Sequence, residues 1–134
     1  MESVKVAKVY YGNIYLLDEK SGKIIKFSSL ESGFSSSSWL KEDVSLSGVS
    51  DIALDGNVYI LFKDGNVLRY YTGEKEEFNL QKVSKYDAEY SFIQTGVDMD
   101  NIYILDKKRI SIQVFDKEGK YIKSYMFKDP SISL

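Results

Sequence analysis

One run of five residues recurs at a fixed interval. Asn57-Val58-Tyr59-Ile60-Leu61 has a counterpart 44 residues earlier, Asn13-Ile14-Tyr15-Leu16-Leu17, and another 44 residues later, Asn101-Ile102-Tyr103-Ile104-Leu105. A period of about 20–50 residues is the signature of a repeat architecture, in which each copy buries its apolar face on the next. Three such intervals account for nearly all of the 134 residues. The chain therefore reads as a single three-repeat module over 1–134, with repeats at approximately 4–48, 49–91 and 92–129.

Each repeat divides into short strands. In the second, Val49–Leu54 leads through Asp55-Gly56 into Asn57–Phe62, and Lys63-Asp64-Gly65 leads into Val67–Tyr71. Asp-Gly between apolar runs is a hairpin signal, because the turn needs positive φ. Glu76-Glu77-Phe78-Asn79-Leu80 has apolar residues two apart and suits an outer strand. In the first repeat, Val4–Tyr10, Ile14–Leu17 and Lys23–Phe27 read as strands. The serine-rich Ser28–Ser38 reads as a surface loop, with a fourth strand at Trp39-Leu40-Lys41. In the third, Thr95-Gly96-Val97-Asp98 is expected as the first strand, followed by Asn101–Leu105, Ile110–Phe115 and Tyr121–Phe127. Connections this short join antiparallel neighbours, since parallel strands need a crossover of a dozen or more residues. Four strands per repeat of this length, with no helical period, give an all-β fold of four-stranded antiparallel meanders: the blades of a β-propeller.

Composition removes several function classes. There is no Cys and no His, so disulfides, Cys- or His-based nucleophilic catalysis and the common zinc sites are excluded. No glycine-rich phosphate loop and no nucleophile elbow is present. Asp98-Met99-Asp100-Asn101 lacks the further oxygen ligands and the glycine of a calcium loop. No cofactor is implied. Eighteen basic residues against 20 acidic ones argue against a nucleic-acid partner, which selects for basic excess. The residues after Met1 include no long apolar run, so neither a signal peptide nor a membrane span is expected, and a soluble cytoplasmic chain is.

The third repeat resembles the NHL type of propeller repeat, through Gly96-Val97-Asp98, Asn101-Ile102-Tyr103-Ile104-Leu105-Asp106 and Ile112-Gln113-Val114-Phe115-Asp116-Lys117-Glu118-Gly119-Lys120. The first repeat is similar through Gly12-Asn13-Ile14-Tyr15, Asp18 and Gly22–Phe27, and the second through Ile52–Tyr59 and Asn66–Tyr70. The arginine of the family pattern falls on Lys23, Asn66 and Ser111, and its strand-closing aspartate stands at Asp18 and Asp106 but is missing from the second repeat. The resemblance implies a propeller fold. It does not assign a function, because such rings serve as binding platforms as often as enzymes.

Closed propellers have four to eight blades. Three blades leave two terminal faces uncovered, and large exposed apolar patches are rare on soluble monomers. A second copy would complete a six-bladed ring, making the chain a homodimer; alternatively, it is part of a longer propeller sensor domain or propeller enzyme whose other blades supply the missing half, or an open three-blade module. The expected function is a non-catalytic scaffold for protein or ligand recognition. The resemblance to these propellers implies that the first strand of each repeat lies nearest the ring axis, and the small residues Ala7, Ala53 and Gly96 would accommodate the crowding there. Lys8, Asp51 and Thr95 are then the candidates to line or rim the channel. Lys107, Lys108 and Arg109 form the densest basic run and are the candidate rim contacts. A charge at Val6 in the first strand is expected to fall in the interface between copies.

Overall fold

The computed structural model describes residues 4–30, 33–83 and 88–127. Twelve strands form three four-stranded antiparallel sheets. The first comprises β1 (Val4–Tyr10), β2 (Asn13–Asp18), β3 (Lys23–Leu30) and β4 (Gly33–Ser38). The second comprises β5 (Val49–Leu54), β6 (Asn57–Phe62), β7 (Val67–Tyr71) and β8 (Glu74–Glu76). The third comprises β9 (Tyr90–Gln94), β10 (Asn101–Asp106), β11 (Ser111–Asp116) and β12 (Tyr121–Met126). In every sheet the strands pair in chain order, as a meander. The described residues contain no helix. The sheets are propeller-like blades, with β5 lying beside both β1 and β9, and they do not close into a ring.

Two apolar cores occupy the two seams between blades. Tyr15, Leu17 and Ile24 of the first blade meet Ile52, Val58 and Ile60 of the second. On the other side, Tyr59, Leu61 and Val67 of the second meet Ile93, Ile102 and Phe115 of the third. Strand side chains alternate between faces, so β6 sends Val58 and Ile60 one way and Tyr59 and Leu61 the other. All four are buried.

Three strands differ from the sequence expectation. Ser35–Ser38, expected in a loop, belong to β4, whose backbone pairs with β3 from Leu30↔Gly33 to Ile25↔Ser38. An outermost strand is held by main-chain hydrogen bonds alone, and β4 is exposed throughout, so nothing demands an apolar alternation. Trp39-Leu40-Lys41 follows that strand as the exit from the blade. In the second blade the outer strand ends at Glu76. Phe78 and Leu80 leave the sheet and pack onto the second seam core, because burying them there gains more than an exposed edge offers.

The third difference concerns Thr95–Asp98, which form no strand. The innermost strand is β9, pairing Gln94 with Tyr103 and Ile93 with Ile104. In the second blade the equivalent Tyr59 faces Ala53, six residues before it, whereas Tyr103 faces Gln94, nine before. Residues 95–100 make a longer connection, and the 44-residue interval of the second strands does not extend to the first. Gly96 therefore lies outside the inner strand, and of the small residues expected at the axis only Ala53 is buried, Ala7 being exposed.

Candidate functional site

The three inner strands are joined by one carboxylate. Asp51 on β5 is buried, accepting hydrogen bonds from the Ile52 amide at 2.9 Å and, across the seam, from the Ile93 amide on β9 at 3.0 Å. Lys8 Nζ on β1 lies 3.5 Å from Asp51 Oδ1 and 5.8 Å from the centroid of the Phe92 ring. Ser50 donates to the Tyr90 carbonyl at 2.7 Å. Asp51 thus ties three blades together, with Lys8 half-buried and Phe92 exposed at the edge of the group. Thr95 sits in the β9–β10 connection, where its hydroxyl donates to the Asn101 carbonyl at 2.9 Å. Lys8 and Thr95 line a common groove of about 310 Å³, with Val9, Ala53 and Gln94.

The basic run lies at the other end of β10. Strand rise is about 3.3–3.4 Å per residue, so the Asn101 and Asp106 ends of the strand stand roughly 17 Å apart. Lys107 and Lys108 are exposed, and Arg109 turns inward, its Nη1 2.6 Å from Asp106 Oδ2. Asp106 is fully buried and also receives the Glu89 amide at 3.2 Å, the Lys108 amide at 3.0 Å and Gln113 Nε2 at 3.4 Å. Gln113 Oε1 accepts from the Tyr90 hydroxyl. Burial, then the Asp106 charge, pushes the Tyr90 phenol up to about 12. This network staples the blade edge, the buried carboxylate gathering donors from the β10–β11 turn, from β11 and from Glu89.

A third cluster, in the second seam, was not singled out from the sequence. Lys117, in the β11–β12 turn, pairs with Asp55 in the β5–β6 turn and donates to the Gly96 carbonyl at 3.2 Å. Tyr59 Oη lies 3.2 Å from the same Asp55 oxygen. Burial, followed by that charge, raises the Tyr59 phenol to about 12. Arg69 donates to the Lys117 carbonyl at 3.2 Å, lies 3.0 Å from Glu76 Oε1 and stands 5.0 Å from the Phe78 ring centroid. The only sequence signal was that Asp55 and Lys117 both sit in turns; their pairing depends on how two blades meet. Asp51, Asp55 and Asp106 are each occupied by cations or amides across a seam or turn. Among the described residues, no group of three or more His, Cys, Asp or Glu could hold a metal ion, and no helix is long and apolar enough to cross a membrane.

The remaining surface feature is a pair of uncovered faces. In the recurring motif of the middle blade, Val58, Tyr59, Ile60 and Leu61 are all buried. In the first blade only Tyr15 and Leu17 are buried, while Ile14 and Leu16, facing away from the second blade, are partly open. In the third the pattern inverts: Ile102 and Ile104 are buried, and Tyr103 and Leu105 are partly open. Register aligns Val9, Ile14 and Phe27 across the first uncovered face, beside Ala7, Leu16 and Ile25. Phe92, Leu105, Ile112 and Tyr125 align across the last. Of the twelve large hydrophobic residues exposed among the described residues, eleven belong to the first and third blades and only Tyr71 to the flanked middle one. Val6, expected in an interface between copies, packs instead on the core between the first two blades. Residues two apart on a strand share a face, so Ala7 and Val9 take the outer side.

No protein-family model matches the chain, and no curated protein matches it significantly.

Proposed function

We propose that the chain is a non-catalytic recognition scaffold of NHL-like propeller blades whose working form is a closed ring, completed by a second copy to six blades. The observation that carries this reading is the burial of the repeated motif: covered on both faces in the middle blade, on one face only in each terminal blade. An apolar sheet face is stabilised by about 25 cal/mol per Å² removed from water, and both terminal faces retain that driving force. Six blades fall within the range in which propellers close. The buried carboxylates serve the seams, which favours a platform that binds through its surface over an enzyme. In a ring, the groove holding Lys8 and Thr95 would line the channel, and Lys107 and Lys108 would stand on a rim.

The partial motif burial is equally what a longer propeller would give if its other blades covered these faces, as in a sensor domain or enzyme. Sedimentation of the 134-residue chain separates the two. A concentration-dependent species of twice the chain mass supports the paired ring. A well-folded monomer at about 100 μM, far above a Kd worth roughly 8 kcal/mol, overturns it in favour of further blades.

A further inference from the structure

The two seams are built alike and filled differently. In each, a second-strand tyrosine faces a third-strand cation across the sheet, Tyr15 opposite Lys26 and Tyr59 opposite Arg69. In each, an aromatic residue following the outer strand stands edge-on to that tyrosine, Trp39 at 6.1 Å and 81°, Phe78 at 5.7 Å and 74°. The second seam has its charges matched. Asp55 and Lys117 pair across it, Tyr59 Oη lies 3.2 Å from the same carboxylate, and Arg69 is held by Glu76 and the Lys117 carbonyl.

The first seam lacks both members of that ion pair. Register places Tyr10 where Asp55 stands: Val9 faces Ile14 as Leu54 faces Val58, and Tyr10 and Asp55 are the next residues. The turn that would supply the cation is shorter. Thr72-Gly73 alone joins β7 to β8, whereas residues 117–120 join β11 to β12. What remains is a pocket of about 170 Å³ between the blades, with Tyr10, Tyr15, Lys26 and Trp39 on one side and Gly56 and Thr72 on the other. Lys26 is half-buried, its Nζ 5.8 Å from the Tyr15 ring centroid, and it has no ion pair or hydrogen bond among the described residues.

These groups set the chemistry of an occupant. Ring walls with a few convergent polar groups are the make-up of a small-molecule site. The volume is well below the roughly 300 Å³ at which sites for drug-sized ligands begin, so it suits a single ring with short substituents. A cation is disfavoured: Lys26 already stands on the Tyr15 face, and no described carboxylate lines the pocket to oppose a second positive charge. An anion is favoured, because a part-buried ammonium without a counter-charge is costly and forms a charge-assisted hydrogen bond with a carboxylate.

We infer that the first seam is a binding site for a small ring-bearing carboxylate, with the ring against Trp39 and Tyr10 and the carboxylate on Lys26. Sugar acids and aryl acids share that chemistry. The pocket lies within one chain, so its occupancy is independent of ring closure.

Trp39 is the chain's only tryptophan, so its emission reports on the pocket directly. The wild-type chain is titrated with glucuronate and with benzoate, each beside its neutral counterpart, glucose or benzyl alcohol, and with acetate as a carboxylate without a ring. The expected result is a saturable change in Trp39 emission with at least one ring acid, binding about ten-fold or more tighter than its neutral counterpart, as a hydrogen bond to a charged group provides. Which acid responds identifies the source. Lys26→Met keeps the aliphatic stem and should abolish that preference. Lys20→Met, which removes the same charge from the exposed β2–β3 turn, should retain it. No saturable change with either acid overturns the site. So does equal affinity for a ring acid and its neutral counterpart or acetate, a preference that survives Lys26→Met, or one lost equally in Lys20→Met. Should Lys26→Met fail to fold, the wild-type comparison of acid with neutral counterpart decides alone.

Discussion

Asp51 Oδ2 accepts the backbone amide of Ile93 at 3.0 Å, across the seam between two blades. Ile93 sits on an innermost strand, whose inner edge has no further strand to pair with, and its amide is buried. A side chain from the neighbouring blade supplies the missing acceptor. The same carboxylate holds Ile52 and faces Lys8, so one residue links three blades that share no strand.

Asp51→Ala should therefore cost about 1.5–3 kcal/mol, the range for hydrogen bonds to charged groups and for leaving a buried donor unmade. Asp51→Asn, which keeps one carbonyl acceptor, should lose less. Urea denaturation monitored by tyrosine fluorescence measures both, and equal stability of the alanine variant and the wild type would refute the linking role.

Ile60 is fully buried in the first seam core. Ile60→Ala should cost roughly 2–5 kcal/mol, because the cavity it leaves is lined by two blades and collapses only in part. A loss below about 0.5 kcal/mol would contradict its burial.

The second strands were legible because each is central in its sheet: its backbone is paired on both sides, and its side chains must be apolar wherever a neighbouring blade covers them. The outer strands were not. Ser35–Ser38 and Glu74–Glu76 are held by backbone bonds on one side and face solvent, so their residues carry little trace of the strand. β9 was misplaced because the 95–100 connection is longer than its counterparts, and Gly96-Val97-Asp98 resembles the repeat pattern more closely than Tyr90–Gln94 does. Lys8 was singled out separately from Asp51, and Lys117 was not connected to Asp55, 62 residues away, because each pairing is set by how neighbouring blades rotate against each other. Alternation along β1 shows two faces, but only the structure shows that Val6 and Tyr10 turn toward the core and Val9 away from it.

The Tyr90 phenol sets a pH dependence. Its folded value, raised to about 12 by burial and then by Asp106, stands above the ordinary value of about 10. The unfolded chain loses this proton first, so the stabilisation is full below pH 10 and is lost as pH rises toward 12. Tyr90→Phe removes the hydrogen bond to Gln113 and should cost about 1 kcal/mol at neutral pH. The wild type then weakens over pH 10–12 while the variant lacks that loss, so the gap in thermal midpoint should narrow. A gap constant across that window would exclude the effect.

Lys107 and Lys108 are the exposed part of the basic run, Arg109 being engaged by Asp106. Two free ammonium groups on a chain of net charge −2 release few counterions on meeting phosphates. A random oligonucleotide should bind only weakly at physiological salt, and a submicromolar Kd by fluorescence anisotropy would contradict this.

Val9 separates assembly from folding. Its side chain is 71% exposed on the uncovered face of the first blade, aligned with Ile14 and Phe27. In an isolated chain Val9→Asp removes little buried area and should shift stability by no more than about 0.5 kcal/mol, as for other surface substitutions. In a paired ring the same carboxylate would be buried against an apolar sheet with no cation opposite, which costs several kcal/mol. The variant should therefore sediment as a folded monomer at concentrations where the wild type is a dimer. Val6→Asp is the contrasting variant. It places the charge against the core between the first two blades and should lower the stability of the chain itself. If Val9→Asp dimerises as tightly as the wild type, this face is not the one that closes the ring. If it unfolds as readily as Val6→Asp, the face is not open in the single chain.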